Sequence, residues 1–220
     1  MPNVLIACEE SQTIAKAFRE IGVNAFSCDL QECSGGCPDI HFNFDVKKLL
    51  DLDLLLNGYP FITSTGDMYR FSDTWDLLIA HPPCTFLSNA GASRLYPKGK
   101  LNQFRYEQGV KAAEFFYFFL NTQAAKRVCV ENPKPLSIFG LPGCSQIIQP
   151  YMFGEPFYKT TYLWLRRLPI LFATSLVVPV DYWLPNGSKS TGAAGHNVRL
   201  RSKTFTGVAA AMVSQWSDFL

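Results

Sequence analysis

A cysteine preceded by two prolines is the feature of this sequence that most clearly indicates chemistry. Cys84 follows Pro82 and Pro83, shortly after an apolar run at residues 77–80 that is typical of a buried strand. Thiolate is a strong nucleophile, and a proline turn at the end of a strand would fix the direction of its attack. Cysteine is also a common small core residue, but this position favours a reactive role.

Glu131 is the second candidate, and its position mirrors that of Cys84. It follows the apolar run at residues 128–130 and precedes Asn132 and Pro133, where the strand pattern is predicted to stop. A carboxyl group placed there can hold a proton or stabilise charge on a bound ring. Considered alone, Glu131 could equally be a surface carboxylate. Considered together with Cys84, it is predicted to belong to the same site.

Short apolar runs alternate with helical patterns along the chain, and these are the elements that must position the two residues. The patterns predict helices at residues 11–21, 103–120 and 206–216, and strands at residues 4–7, 25–28, 40–44, 77–80, 128–130 and 160–165. Such alternation predicts an α/β fold with a mostly parallel sheet and helices on both faces. Residues 49–74 fit the scheme less well and are predicted to be an insertion.

Polar groups also follow the first three predicted strands. Cys8 and Glu9 follow the first strand, Asp29 the second and Asp45 the third. Ligands of open α/β sheets bind at the carboxyl ends of the strands, so these residues are predicted to share one site with Cys84. For the two aspartates, a helix cap or a turn is the alternative.

Composition narrows the class of protein. The chain has 220 residues, of which 48% are hydrophobic and 17% charged, which predicts one well-buried domain. Seven cysteines, an odd number, favour a reducing cytoplasm over disulfides. Neither a membrane span nor a secretory signal is visible. The cysteines at residues 33–37 lack the spacing of a zinc site, so no metal is expected.

Basic residues gather in two segments, although the net charge of +2 does not by itself indicate nucleic acid. Clusters of this kind can hold phosphates, and ordinary solvated loops are the alternative. The first cluster, predicted to be one loop after Cys84, comprises Arg94, Lys98, Lys100 and Arg105. The second cluster, predicted to be another loop, comprises Arg199, Arg201 and Lys203.

Taken together, the two motifs resemble those of cytosine-C5 methyltransferases. Pro83-Cys84 resembles the family's Pro-Cys nucleophile motif, and Glu131-Asn132 with Pro133 is similar to its Glu-Asn-Val motif, in the same order. Roughly residues 1–165 and the last twenty or so resemble the short, phage-type members. The resemblance implies a Rossmann-like methyltransferase fold, S-adenosylmethionine as cofactor and DNA as substrate. It implies that the Cys84 thiolate adds to carbon 6 of cytosine while Glu131 holds the ring at N3 and the exocyclic amine.

The resemblance also implies roles for further residues. Asp29 would bind the ribose hydroxyls and Asp45 the adenine amine of the cofactor, with Cys8, Glu9 and Pro82 completing that pocket. The chain departs from the family in its first turn, which lacks glycine, and in its last motif, which lacks asparagine. Residues expected to hold the substrate are Ser88, Arg94, Lys98, Lys100, Arg105, Asn132, Lys159, Arg199 and Arg201.

The predicted organisation leaves three functions open. Residues 1–165 form the expected catalytic core, residues 166–200 a short irregular lobe in place of the family's target-recognition domain, and residues 201–220 a helix that returns to the core. The short lobe is compatible with a DNA methyltransferase of little sequence preference, an enzyme acting on a free cytosine nucleotide such as dCMP, or a binding protein without methyl transfer. DNA ranks first among these. The sequence leaves open whether the protein forms a homodimer.

Overall fold

The computed structural model describes residues 1–180, 182–183, 189–190 and 203–220. Its helices are α1 (Thr13–Glu20), α2 (Leu52–Leu56), α3 (Ala92–Leu95), α4 (Gln103–Asn121) and α5 (Thr206–Trp216). Its strands are β1 (Asn3–Ala7), β2 (Asn24–Cys28), β3 (His41–Phe42), β4 (Pro60–Ile62), β5 (Met68–Arg70), β6 (Trp75–Ala80), β7 (Ala125–Pro133), β8 (Gln146–Ile148), β9 (Thr161–Arg166), β10 (Tyr182–Trp183) and β11 (Lys189–Ser190).

A seven-stranded sheet organises the described residues, with the strand order β3-β2-β1-β6-β7-β9-β8. The first five strands in this order are parallel, whereas β9 runs antiparallel to both of its neighbours. The chain runs outward from β1 to β3 and then returns to β6 on the other side of β1. The order therefore reverses between β1 and β6, which opens a crevice at their carboxyl ends. This is a Rossmann-like α/β fold with a mostly parallel sheet, as predicted from the sequence.

The centre of the sheet is apolar on both sides. Residues 4–7 of β1 and 77–80 of β6 are completely buried, as expected for parallel strands covered on both faces. Right-handed crossovers place α1, between β1 and β2, and α4, between β6 and β7, on opposite faces because the two connections run in opposite directions. Helix α5 packs against α1, and its Trp216 is fully buried.

The segment predicted to be an insertion forms helix α2 and the antiparallel hairpin of β4 and β5. Aromatic rings attach the hairpin region to the sheet. The ring centroid of Phe71 lies 4.5 Å from that of Trp75 and 5.7 Å from that of Phe26, and Phe61 is also buried. The insertion is therefore part of the core rather than an appendage.

Strand β7 differs from the prediction in a way that matters for the site. It continues through Glu131, Asn132 and Pro133, so the strand end predicted at residue 130 was wrong. Parallel pairing with β6 does stop at Val130, opposite Ala80, but residues 131–133 continue to pair with β9. Pro133 is tolerated because it lies beyond β6, where one side of β7 is open.

The C-terminal region is only partly within the described residues. Residues 167–180 contain no helix or regular strand, and only an isolated bridge joins Phe153 to Ser175. Arg199 and Arg201, two predicted substrate residues, lie outside the described residues. Within the described residues, no helix combines the length and apolar character needed to cross a bilayer.

Candidate active site

A cleft of about 710 Å³ opens at the carboxyl ends of the parallel strands. Its size falls within the range of small-molecule sites, about 300–1,000 Å³. The walls come from the ends of β1, β2, β3, β6 and β7, where the sequence placed its candidates. Predicted residues that line it are Cys8, Glu9, Asp29, Asp45, Pro82, Cys84, Glu131 and Lys159.

The turn after β1 adopts a conformation usually reserved for glycine. Cys8 has a φ of 59°, in the left-handed region, which costs a residue with a side chain about 1–2 kcal/mol. The N–H groups of Cys8 and Glu9 both donate to the Cys28 carbonyl, at 2.7 and 3.3 Å. The chain therefore makes a tight first turn without glycine.

Glu9 serves the scaffold at this turn. Its carboxylate accepts hydrogen bonds from the N–H groups of Ile14 (2.7 Å) and Ala15 (3.3 Å) at the beginning of α1. Burial raises the pKa of Glu9 to about 7, although the charge of His81 and the two N–H groups oppose the rise. Glu9 borders the cleft, but both of its oxygens are engaged by the helix.

The two aspartates predicted to bind the cofactor lie along the same wall. Asp29 is half-buried, and its Oδ1 accepts from the N–H of Gln31 at 2.9 Å. Asp45 is exposed, and its Oδ1 accepts from the N–H of Lys47 at 3.0 Å. Both aspartates therefore make local contacts of the kind expected of a helix cap or a turn, which was the alternative to cofactor binding. Both also line the cleft.

Apolar side chains line the cleft beside these acids. Phe44, Val46 and Phe115 contribute to its wall, and Phe44 is stacked on Phe61 with a centroid separation of 6.4 Å. An apolar wall next to carboxylates suits a nucleoside, whose base is flat and whose ribose carries hydroxyls. The residues present therefore fit S-adenosylmethionine at its adenosine end.

Several anchors hold the segment around Cys84 in place. The carbonyl of Cys84 accepts from the N–H groups of Leu87 (3.1 Å) and Ser88 (2.9 Å), forming a turn. Ser88 also bridges to Pro135, in the loop after β7. Ser88, a predicted substrate residue, is therefore buried in the turn behind Cys84 and is not among the residues lining the cleft.

Asn132 and Arg105 hold the same segment from two other directions. The Asn132 amide is fully buried and donates to the Pro82 carbonyl at 3.0 Å. The Arg105 guanidinium donates to the Thr85 carbonyl and lies over the Phe86 ring, 4.9 Å from its centroid. Both residues were predicted to contact substrate; in the structure they position the loop that carries Cys84.

Glu131 is held as a carboxylate at the end of the cleft. Burial by itself would raise its pKa, but the hydrogen bond with His81 and the positive charge of Lys159 outweigh burial and lower it. His81 Nδ1 lies 3.3 Å from Glu131 Oε2. His81 also lines the cleft and was not among the predicted site residues. Its position directly after the apolar run at residues 77–80 is the same signal that identified the other candidates.

Lys159 connects the cleft to the C-terminal segment. Its Nζ donates to the Lys203 carbonyl at 3.3 Å and lies 5.6 Å from the centroid of the Phe205 ring. Lys203 in turn donates to Ser34 Oγ at 3.0 Å. The segment before α5 therefore closes one side of the cleft, where Lys203 and Thr204 line it.

The first basic cluster is not one irregular loop, so that prediction was wrong. Arg94 lies on α3, Lys98 in a short 3-10 turn at Pro97–Gly99, and Arg105 in the first turn of α4, because Asn102 caps that helix by accepting from the Arg105 N–H. Arg94, Lys98 and Lys100 are exposed, follow the Cys84 segment in the sequence, and are not among the residues lining the cleft.

Comparisons with known proteins give a similarity to a solved structure but no family. No family model and no curated protein matches the chain. Among solved structures, the chain is similar to a candidate DNA modification methyltransferase encoded within a prophage of E. coli, with 13% sequence identity and a TM-score of 0.47. The match covers 82% of this chain and 53% of the other, so the chain spans about half the length of that protein.

Proposed function

We propose that this protein is an S-adenosylmethionine-dependent methyltransferase that modifies carbon 5 of cytosine in DNA. The observation that carries the proposal is the shared cleft. Cys84 and Glu131, from the ends of neighbouring strands β6 and β7, line it together with Asp29 and Asp45 from β2 and β3. A nucleophile, a carboxylate and a nucleoside-compatible wall therefore face one space.

The chemistry assigned to Cys84 and Glu131 follows from the low reactivity of carbon 5. Addition of the Cys84 thiolate at carbon 6 forms an S–C bond and makes carbon 5 electron-rich, like an enamine. Glu131 faces ring N3 and the exocyclic amine, and the resulting negative charge is relieved when N3 receives a proton through this carboxyl group. The anchors on Pro82 and Thr85 hold the Cys84 segment before the substrate arrives, which reduces the entropic cost of attack.

The cofactor pocket is assigned to the opposite wall. Asp29 would bind the ribose hydroxyls, and Phe44 and Phe115 would flank the base. S-adenosylmethionine supplies the methyl group when it is bound. The thiol of Cys8 does not compete with Cys84, because burial, with the nearby charges of Asp29 and Asp45, raises its pKa to about 12 and only the thiolate is nucleophilic.

DNA is the proposed substrate because of the charge beside Cys84. Arg94, Lys98 and Lys100 are exposed there, and residues 77–106 contain no acidic residue. Such a surface suits a phosphate backbone. A duplex cytosine would have to be flipped out of the stack to reach Cys84. A free cytosine nucleotide such as dCMP would need only one phosphate contact.

The test is transfer of a labelled methyl group to duplex DNA, single-stranded DNA and dCMP in parallel. DNA carrying 5-fluorocytosine should form a covalent adduct visible by intact mass, since fluorine cannot leave carbon 5 as a proton does. Cys84→Ser should abolish the adduct, whereas Cys144→Ser, a half-buried cysteine that is not among the cleft residues, should keep it. An adduct that persists in Cys84→Ser would refute the assignment.

A further inference from the structure

His81 lies between two carboxylates at the carboxyl end of the sheet. It directly follows β6, the strand between β1 and β7, and its backbone N–H donates to the Ala7 carbonyl at 3.0 Å. Its Nδ1 lies 3.3 Å from Glu131 Oε2, and the two side chains are 13% and 17% exposed. Its Nε2 is buried without a hydrogen-bond partner among the described residues.

The charged groups around His81 come from every neighbouring element. Glu9 follows β1, Glu131 lies on β7, and Lys159 precedes β9. The charge of His81 lowers the pKa of both carboxyls. Burial outweighs this effect at Glu9, so the pKa of Glu9 is raised overall. At Glu131 the hydrogen bond with His81 and the nearby positive charges outweigh burial, so the pKa is lowered overall. The imidazole thus lies between one carboxyl that readily holds a proton and another that is ionised.

An ionised Glu131 has no proton of its own to give. When a thiolate adds to carbon 6 of a pyrimidine, the electron pair displaced from the C5–C6 double bond is delocalised onto the ring, and N3 becomes basic. A proton must then reach N3. Histidine is the side chain that exchanges a proton near neutral pH, and His81 directly contacts Glu131.

We propose that His81 is a positioning residue that acts through Glu131 by supplying the proton that ring N3 receives; this inference rests on the proposed function. In the resting site, the imidazolium donates its Nδ1–H to the Glu131 carboxylate. As the S–C6 bond forms, the Nδ1 proton passes to the Glu131 carboxylate, and the resulting carboxylic acid passes a proton to N3, which leaves a neutral imidazole and an ionised Glu131. When the S–C6 bond breaks, the protons return and the pair is restored.

The kinetic test follows exchange of the cytosine C5 hydrogen for solvent deuterium without cofactor, because only reversible addition of Cys84 permits it. The wild-type rate should be bell-shaped in pH, rising as the thiolate forms and falling as the imidazolium is lost. His81→Gln keeps a hydrogen-bond donor near Glu131, but the glutamine side chain does not gain or lose a proton near neutral pH. It should lower the rate at the optimum by about tenfold or more and remove the falling limb.

An activity-independent test uses ¹⁵N signals of the imidazole rings. Glu131→Gln should change the ¹⁵N signal of His81 Nδ1 as the pH is varied, because the carboxylate that contacts this nitrogen is gone. Asp29→Asn, a cleft acid on the far wall, should leave it unchanged. His41, whose ring contacts Ser27 Oγ at 2.8 Å and the Gln31 carbonyl at 3.0 Å, provides an internal reference.

The possible outcomes separate the two proposals. Absence of C5 exchange by the wild type would count against the proposed function, while the imidazole titration would still test the His81–Glu131 pair. Exchange in the wild type with an unaltered pH profile in His81→Gln would overturn the role of His81 alone. A His81 titration unaffected by Glu131→Gln would overturn it as well.

Discussion

The surroundings of each cysteine decide whether its thiol can act as a nucleophile. Burial raises the pKa of Cys8, Cys28 and Cys129, with smaller contributions from nearby acidic groups. These thiols stay protonated near neutral pH and are poor nucleophiles. Cys84 lies in the turn after two prolines at the edge of the cleft. All four side chains are cysteines, so only their surroundings can distinguish the proposed nucleophile from the other three.

Asp29 gives the residue-scale prediction for the cofactor. Asp29→Ala should weaken S-adenosylmethionine binding by about 1.5–3 kcal/mol, roughly ten- to a hundredfold, because a charge-assisted hydrogen bond to the ribose is lost. Titration calorimetry measures the change. Asp39→Ala, which removes an exposed acid that is not among the cleft residues, is the control. Equal affinities for wild type and Asp29→Ala would place the ribose elsewhere, and no binding by the wild type would favour a non-enzymatic role.

At the scale of secondary-structure elements, the beginning of α1 links stability to pH. Glu9 caps this helix while almost completely buried, with 3% of its surface exposed. Its pKa of about 7 in the folded protein exceeds its ordinary value of 4.5. The folded state thus binds the proton more tightly than the unfolded state. The contribution of Glu9 to stability is complete below pH 4.5 and is lost as pH rises through 7.

Glu9→Gln should remove this dependence. Relative to the wild type, the free energy of unfolding of the variant should rise by about 3 kcal/mol between pH 4.5 and pH 8, since one pKa unit corresponds to about 1.4 kcal/mol. Urea unfolding at several pH values measures it. Glu10→Gln, the neighbouring acid that does not cap α1, should retain the wild-type pH dependence. Parallel curves for wild type and Glu9→Gln would show that Glu9 is not the titrating group.

At the scale of the whole molecule, basic side chains lie at both ends of the sheet, and acids such as Asp29 and Asp45 line the cleft itself. The exposed bases Arg94, Lys98 and Lys100 lie beside the segment that carries Cys84. At the opposite end, where β6 and β7 begin, Lys126 is already paired with Asp73 (3.0 Å) and Asp76 (2.9 Å). Because Lys126 is already paired, we expect Arg94, Lys98 and Lys100, rather than Lys126, to contact a polyanion.

Replacement of both Lys98 and Lys100 by Ala should weaken DNA binding to a similar extent for all sequences. The slope of log affinity against log salt should fall by about 0.9 for each duplex phosphate contact that is lost. Lys126→Ala is the control and should leave the slope unchanged. If the double variant binds and methylates DNA like the wild type, the phosphate contacts must be assigned to Arg199, Arg201 and Lys203 instead. A shallow slope in the wild type would favour a free nucleotide.

Local patterns in the sequence determined the elements and the polar residues that follow them. Apolar runs at residues 4–7, 25–28 and 77–80 predict buried strands because parallel strands are covered on both faces. The candidates at their ends follow from the tendency of open α/β sheets to bind ligands there. The fold class, and the candidate residues at the strand ends that line the cleft, could therefore be predicted from spacing and residue type, whereas apolar lining residues such as Phe44 and Phe115 were not predicted.

Tertiary structure alone decided which of these residues touch. Pairing of β6 with β1 on one side and β7 on the other places His81 between Glu9 and Glu131, which are 72 and 50 positions away in the sequence. In the folded chain, Asn132 and Arg105 donate hydrogen bonds to the Cys84 segment. The Glu9 carboxylate accepts its hydrogen bonds from the beginning of α1. Strand register and side-chain packing depend on contacts between distant segments, and these exist only after the chain has folded, so no local pattern contains them.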